Sequence, residues 1–209
     1  HAPALGYKFR SPGPRERINA RKRNAYSHEL AQAAVQIGYL KWRRDNCFAN
    51  AREPVLQNLD NFQNEDALLV PHFRSKAKSL KEAQAGEHAG DDDALKFYTE
   101  RKWPAADVIV GNPPFLGGKF LRRELGDEYV DAIFSTYSGR VEPQADLCCY
   151  WFEKAREQLA ARQCKRAGLL ATQGIRGGAN RETLKRIKES GDIFFAVSDR
   201  EWVLAGANV

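Results

Sequence analysis

The segment Asp107-Val108-Ile109-Val110-Gly111-Asn112-Pro113-Pro114-Phe115 constrains this chain more than any other. Val108, Ile109 and Val110 are β-branched and wholly apolar, the composition of a strand buried on both faces. Neither proline can donate a backbone hydrogen bond, and a residue that precedes a proline is driven out of the helical region. The strand must therefore stop at Gly111 and present Asn112 at its carboxyl end. In open α/β sheets that end is where ligands bind. An Asn-Pro-Pro-aromatic string is expected by chance in roughly one chain per thousand of this length.

The chemistry that suits such a group is methylation of an exocyclic amine. An aromatic amine is a poor nucleophile because its lone pair is delocalised into the ring. Two fixed acceptors can hold its two protons and favour a pyramidal nitrogen with a free lone pair. The Asn112 side-chain oxygen and the Pro113 carbonyl are candidate acceptors, Pro114 stiffens the loop, and Phe115 can stack on a base. From the tetrapeptide alone, a Pro-Pro loop that merely ends a strand remains an equal alternative.

The 209 residues are one domain's worth of chain, with 43% hydrophobic and 29% charged residues, as in globular proteins. No apolar run approaches the ~18 residues of a membrane span, so no membrane partner is expected. The net charge of +6 suits a polyanionic partner without requiring one. Cys47, Cys148, Cys149 and Cys164 form no C-x-x-C pair and have no histidine at ligand spacing. They read as buried free thiols of a cytoplasmic protein, with no metal. The triple aspartate at Asp91, Asp92 and Asp93 reads as solvated surface, because consecutive carboxylates do not converge on one ion unaided.

Residues 1–23 carry seven Lys/Arg and one acidic residue with no periodicity, which predicts a basic, disordered arm. Ser27 is expected to cap a helix bearing Leu30, Ala33, Ile37 and Leu40 and ending near Asp45. A short strand or turn over 61–69 contains Asp66. Residues 71–106 read as a charged insertion between sheet elements, with one or two helical turns. Asp146 is expected to cap a helix, a strand to follow over 167–172, and a glycine-rich loop over 173–178. Asn180 is expected to cap a third amphipathic helix ending at Gly191, and 192–197 to form a last strand. Strands alternating with helices predict an α/β domain with a largely parallel sheet.

Around this frame the sequence resembles the amino-methyltransferases that use S-adenosylmethionine, and more narrowly the adenine-specific DNA methyltransferases. It is most similar to the methyltransferase segment of MmeI-like restriction-modification proteins, in which nuclease, methylase and DNA-recognition parts share one chain. The resemblance covers about residues 24–209. Besides Asn112-Pro113-Pro114-Phe115, it rests on Asn24-Ala25-Tyr26-Ser27-His28-Glu29-Leu30-Ala31, Asn64-Glu65-Asp66-Ala67-Leu68, Asp146-Leu147-Cys148-Cys149-Tyr150-Trp151-Phe152-Glu153 and Ala167-Gly168-Leu169-Leu170-Ala171-Thr172, in the family's order.

The resemblance implies a Rossmann-like class I methyltransferase fold that transfers a methyl group to adenine in double-stranded DNA. It implies Asp66 and Asn112 as cofactor-binding residues. It also implies Asn112, Pro113, Pro114 and Phe115 as the group that receives a base flipped out of the duplex. Lys119, Arg122, Arg123, Arg176 and Arg181 are candidate phosphate contacts, each with a solvated surface charge as the alternative.

The departures are specific. The family carries a Gly-x-Gly loop upstream of the segment matching Asn24, whereas residues 1–23 hold only Gly6 and Gly13. Lys22 stands where the family has an acidic ribose ligand, and a cation cannot accept hydrogen bonds from hydroxyls. With no methionine and an opening at His1, the chain reads as part of a longer or decayed protein that lacks the first and last strands. Its missing parts are then possible partners and its activity is expected to be low. A first strand absent from its place would leave residues 108–110 with a bare apolar edge. Two other readings stay open: a methyltransferase of another amine (protein glutamine or an RNA base), and an inactive remnant or DNA-binding module without a cofactor site.

Overall fold

The computed structural model describes residues 25–46, 65–75, 94–198, 203–204 and 207–208. The basic arm, Lys22, Cys47, the Asp91 to Asp93 run and the residues linking the first two strands lie outside them. Helix α1 (Ala25–Asp45) is followed by strands β1 (Leu69–Ser75), β2 (Ala94–Glu100) and β3 (Val108–Gly111). Helices α2 (Leu121–Leu125), α3 (Asp127–Thr136) and α4 (Cys148–Ala160) lead to β4 (Arg166–Leu169), then α5 (Asn180–Ser190). The short strands β5 (Val203–Leu204) and β6 (Ala207–Asn208) close the order.

Among the described residues the fold is mixed α/β with three two-stranded sheets. Of these, only β3 and β4 pair in parallel, in register from Val108↔Arg166 to Gly111↔Leu169. They are joined by a crossover through α2, α3 and α4, as a parallel pair requires. Lys165 N–H to the Asp107 carbonyl (3.0 Å) and Leu170 N–H to the Gly111 carbonyl (3.0 Å) extend the ladder at both ends. The expected largely parallel sheet is thus represented, among the described residues, by this single pair.

Burial on both faces of β3 does not hold. Val108 and Val110 are 54% and 77% exposed, while Ile109 turns inward. No described strand pairs with the β3 edge opposite β4. The same cause corrects the last expected strand. Residues 192–197 are irregular, and Phe194 and Phe195 are exposed. Alternating apolar residues suit a strand, but a strand exists only where another backbone takes its hydrogen bonds.

Residues 71–106 also depart from expectation. Their flanks are β1 and β2, which pair antiparallel from Leu69↔Glu100 to Ser75↔Ala94. The hairpin is anchored at its base, where Arg101 N–H donates to the Leu68 carbonyl (2.8 Å). Helix α1 starts two residues before Ser27, so Ser27 lies inside its first turn. Its carboxyl end is closed by Asn46, whose backbone N–H (3.0 Å) and side-chain amide (2.8 Å) both donate to the Trp42 carbonyl. The apolar residues Leu30, Ile37 and Trp42 nonetheless stay exposed.

The core gathers the turn before β1 against α3 and α4. Leu68, Leu69, Leu121, Val130, Ile133, Tyr137, Leu147 and Tyr150 are fully buried. Each such aliphatic side chain contributes about 1.5–3 kcal/mol relative to exposure. Tyr137 and Tyr150 meet edge-to-face at 5.1 Å, and burial pushes both phenols above their ordinary range. Cys148, Cys149 and Cys164 are buried free thiols. A hydrogen bond to Cys149, together with burial, pushes the Cys148 thiol up.

Charged groups tie the hairpin to this core. Glu100 on β2 accepts from Arg140 (2.7 Å) and from the buried ammonium of Lys154 (2.7 Å). Arg140 also pairs with Glu157. Fully buried Glu153 is held by both guanidinium arms of Arg156 (2.8 and 2.7 Å). Burial works to raise the Glu100 carboxyl, but the hydrogen bonds and charges of Arg140 and Lys154 outweigh it and hold the group below its ordinary 4.5. A lowered carboxyl stabilises the fold fully above its ordinary value and loses that contribution as pH falls through the lowered one. Glu100→Gln should therefore cost about 2 kcal/mol at neutral pH, less than the ~3–5 of a fully buried pair because Glu100 is partly solvated. Thermal unfolding of both proteins across the acid range should show the difference shrinking below pH 4.5.

Candidate functional site

The site is built at the carboxyl end of β3. Gly111 packs closely there, since a Cβ would stand 3.0 Å from the end of the Leu169 side chain, which would have to shift. Asn112 is exposed, Pro113 buried, Pro114 half-buried and Phe115 50% exposed. The Asn112 side-chain amide makes no hydrogen bond among the described residues. The chain then dives: Leu116 is buried and its carbonyl accepts from Leu147 N–H (2.8 Å). Two rigid prolines and a buried leucine thus hold an unspent amide and an aromatic ring at the surface.

Two polar residues clamp this loop from beneath. Asp146 Oδ1 accepts from Gly118 N–H (3.0 Å), and its Oδ2 accepts from Asn180 Nδ2 (2.8 Å). Asn180 Oδ1 in turn accepts from Asp146 N–H (2.7 Å), while Nδ2 also donates to the Gly174 carbonyl (3.1 Å). Both residues were expected to cap helices. Instead Leu147 and Ala179 occupy the cap positions, neither with a side-chain bond, and α4 opens on a backbone turn in which Cys149 N–H donates to the Asp146 carbonyl (2.9 Å). Their position just before or at a helix start was a sequence signal, but a cap is a local rule and this crosslink spans 34 residues. Helix α4 packs its first residues into the core, as the burial of Cys148 through Trp151 shows.

Asp66 sits in the turn before β1. Its Oδ1 accepts from Leu68 N–H (2.7 Å) and Leu69 N–H (3.0 Å), and its Oδ2 from Tyr129 Oη (2.7 Å). The turn is further pinned by Arg101 Nε on the Asp66 carbonyl (3.0 Å) and Trp103 Nε1 on the Ala67 carbonyl (2.8 Å). An ionised carboxylate offers about four lone pairs, so one on Oδ2 stays open.

The basic candidates divide. Arg122 is held by Asp127 (2.9 Å) and Asp131 (2.7 Å), and Arg123 by Glu124 (2.8 Å). Lys119 and Arg123 both lie over the Phe120 ring, at 4.9 and 4.7 Å. These cations brace α2. Arg176 and Arg181 lie apart from them, on a groove beside α5. Among the described residues no group of histidine, cysteine, aspartate or glutamate has metal-binding geometry, and no helix is long and apolar enough to cross a membrane.

The profile of the MmeI DNA-methyltransferase domain matches residues 24–208. The chain belongs to the MmeI DNA-methyltransferase family. Comparison with curated proteins and with solved structures returns no match. For an MmeI-family domain DNA is the implied substrate class, restriction-modification the implied setting and S-adenosylmethionine the implied methyl donor.

In this MmeI-family domain the clamp is open to direct tests. A Cβ on Gly118 would fall 2.1 Å from the Gln144 carbonyl oxygen, a backbone atom. Gly118→Ala should cost about 1–3 kcal/mol, a fall of several degrees in Tm. Asn180→Ala leaves the Asp146 N–H and one carboxylate oxygen without their partner, and should cost about 2–3 kcal/mol in denaturant unfolding.

Proposed function

We propose that this domain transfers a methyl group from S-adenosylmethionine to the exocyclic amine of adenine in double-stranded DNA, as the methylating part of a restriction-modification protein. The observation that carries the reading is the exposed, unbonded Asn112 at the carboxyl end of β3, followed by buried Pro113, half-buried Pro114 and half-exposed Phe115. Residues 24–209 are proposed as the catalytic domain and 1–23 as a basic arm. The β3–β4 pair is proposed as the centre of a Rossmann-like sheet.

The chain's own residues position and polarise. Asn112 Oδ1 and the Pro113 carbonyl accept the two amine protons, which draws the nitrogen lone pair out of conjugation. Phe115 stacks on the extruded base and offsets part of the unstacking cost. The methylated nitrogen then sheds one proton to solvent. When bound, the cofactor supplies an electrophilic methyl group. The open lone pair on Asp66 Oδ2 fits the amine of its adenine, and Asn112 at the end of β3 is proposed as its second contact. No described residue is assigned to its ribose or methionine ends, and low turnover is the expectation for the chain alone. A non-catalytic DNA-binding module is the second reading, favoured by the three internal donors that already occupy Asp66.

Methyl transfer to duplex DNA, followed with labelled S-adenosylmethionine, decides between them. Asn112→Ala should lower the rate about a hundredfold or more. Its Tm should hold, because the Asn112 side chain bonds to no described residue. Phe115→Ala should weaken capture of the base by about 1–3 kcal/mol, seen in KM. Undiminished methylation by Asn112→Ala would sink the assignment. No transfer by the unaltered chain, with DNA still bound, would favour the binding module.

A further inference from the structure

Helix α5 presents Arg181, Leu184, Lys185 and Lys188 within an arc of about 100°, as their spacing dictates. Arg176 from the preceding turn and Ile193 from the segment after the helix complete a groove of about 420 Å3 with these four. Its lining is largely apolar, from Leu184, Ile193 and the aliphatic stems of the four basic residues. The remaining basic residue in the middle of the helix, Arg186, turns away toward Glu153 (3.5 Å) and the Gly139 carbonyl (3.4 Å).

We propose that this groove holds the phosphodiester backbone of DNA, as a binding surface separate from the Asn112 loop. The proposal rests on the reading of DNA as substrate and adds which cations grip it. Arg122 and Arg123, basic and closer in sequence to Asn112, face four acids of α2 and α3 (Glu124, Asp127, Glu128 and Asp131), so that surface holds no net positive charge although its ion pairs are exposed too. On α5 four cations face only two acids, Glu182 and Glu189. Lys185 pairs with Glu182 and Lys188 with Asp192, but both pairs are about half exposed or more. Exposed pairs of this kind are worth about 0–1 kcal/mol, so a phosphate displaces them at little cost. Arg181 makes no side-chain ion pair among the described residues. From Arg181 to Lys188 the helix rises about 10 Å, the axial span of about three nucleotides of one strand. Arg176 and Arg181 of the groove flank in sequence Asn180, whose partner Asp146 also holds Gly118 of the segment after β3.

The test is fluorescence anisotropy of the intact chain with a labelled duplex of about 30 base pairs across a salt series, without cofactor. The variant Arg181→Gln/Lys185→Gln/Lys188→Gln is compared with a control that removes as much charge elsewhere, Arg44→Gln/Lys102→Gln/Lys165→Gln. All six residues are exposed, and unchanged melting curves confirm the fold of each variant. Each phosphate contact adds about 0.9 to the slope of log affinity against log salt. The groove variant should lose about 2–3 from that slope and bind at least tenfold more weakly, whereas the control should lose less than about 1. Equal losses in both variants would reduce the effect to net charge and overturn the proposal, leaving the methyltransferase reading intact. Absence of DNA binding by the unaltered chain would overturn the groove and the substrate reading together. DNA binding without methyl transfer would keep the groove and remove the enzyme.

Discussion

The reciprocal pair between Asp146 and Asn180 is the constraint on which the rest of this structure depends. Each side chain uses both of its polar ends, and each also engages a backbone group of another segment. The loop after β3, the entry to α4, the turn after β4 and the start of α5 are thereby joined at one place. Asn180 is buried and Asp146 half-buried, so a lost partner leaves a desolvated polar group unpaired rather than returned to water. This is why the surface loop of Asn112 can be rigid although it is exposed. Its support comes from below, through the Asp146 and Asn180 side chains.

A second set of buried and half-buried charges does the same for the hairpin. Glu100, Arg140, Lys154 and Glu157 bind β2 to the end of α3 and to α4, and Glu153 with Arg156 sits under α5. Such pairs specify an arrangement more than they stabilise it, because desolvation offsets much of the attraction. Here they fix how the hairpin base meets the tyrosine-rich core, and hence where Asp66 lies, since its turn leads into β1. Asp66 is thus a structural residue first. Any role toward a nucleoside has to use the one lone pair its turn leaves open.

Electrostatics separates two surfaces with different work. The cations near the proposed target-base loop are matched by acids on α2 and α3, which leaves that loop nearly neutral and dominated by Phe115, Asn112 and prolines. Along α5 the four cations outnumber the two acids, so positive charge persists. A neutral, aromatic loop suits a flipped base, and a cationic groove suits the backbone from which the base is drawn.

Much of the site was legible in the sequence because its determinants are local. Proline geometry alone stops β3 and leaves Asn112 at its end, and helical periodicity locates α1 and α5 to within a few residues. The family motifs point to methyl transfer before any fold is known. What the tertiary structure decided was non-local. The hairpin within 71–106 exists because β1 and β2 find each other across residues whose composition reads as an insertion. Residues 192–197 have the pattern of a strand without a partner to make them one. Asp146 and Asn180 look like caps because caps obey nearest-neighbour rules, while their real partners lie 34 residues apart. Val108 and Val110 look like core and are exposed, because burial depends on what lies opposite, which no pattern along one strand records. Sequence determines what each short segment can do; only packing selects its partner, because hydrogen bonds and buried area belong to pairs of segments and not to either one.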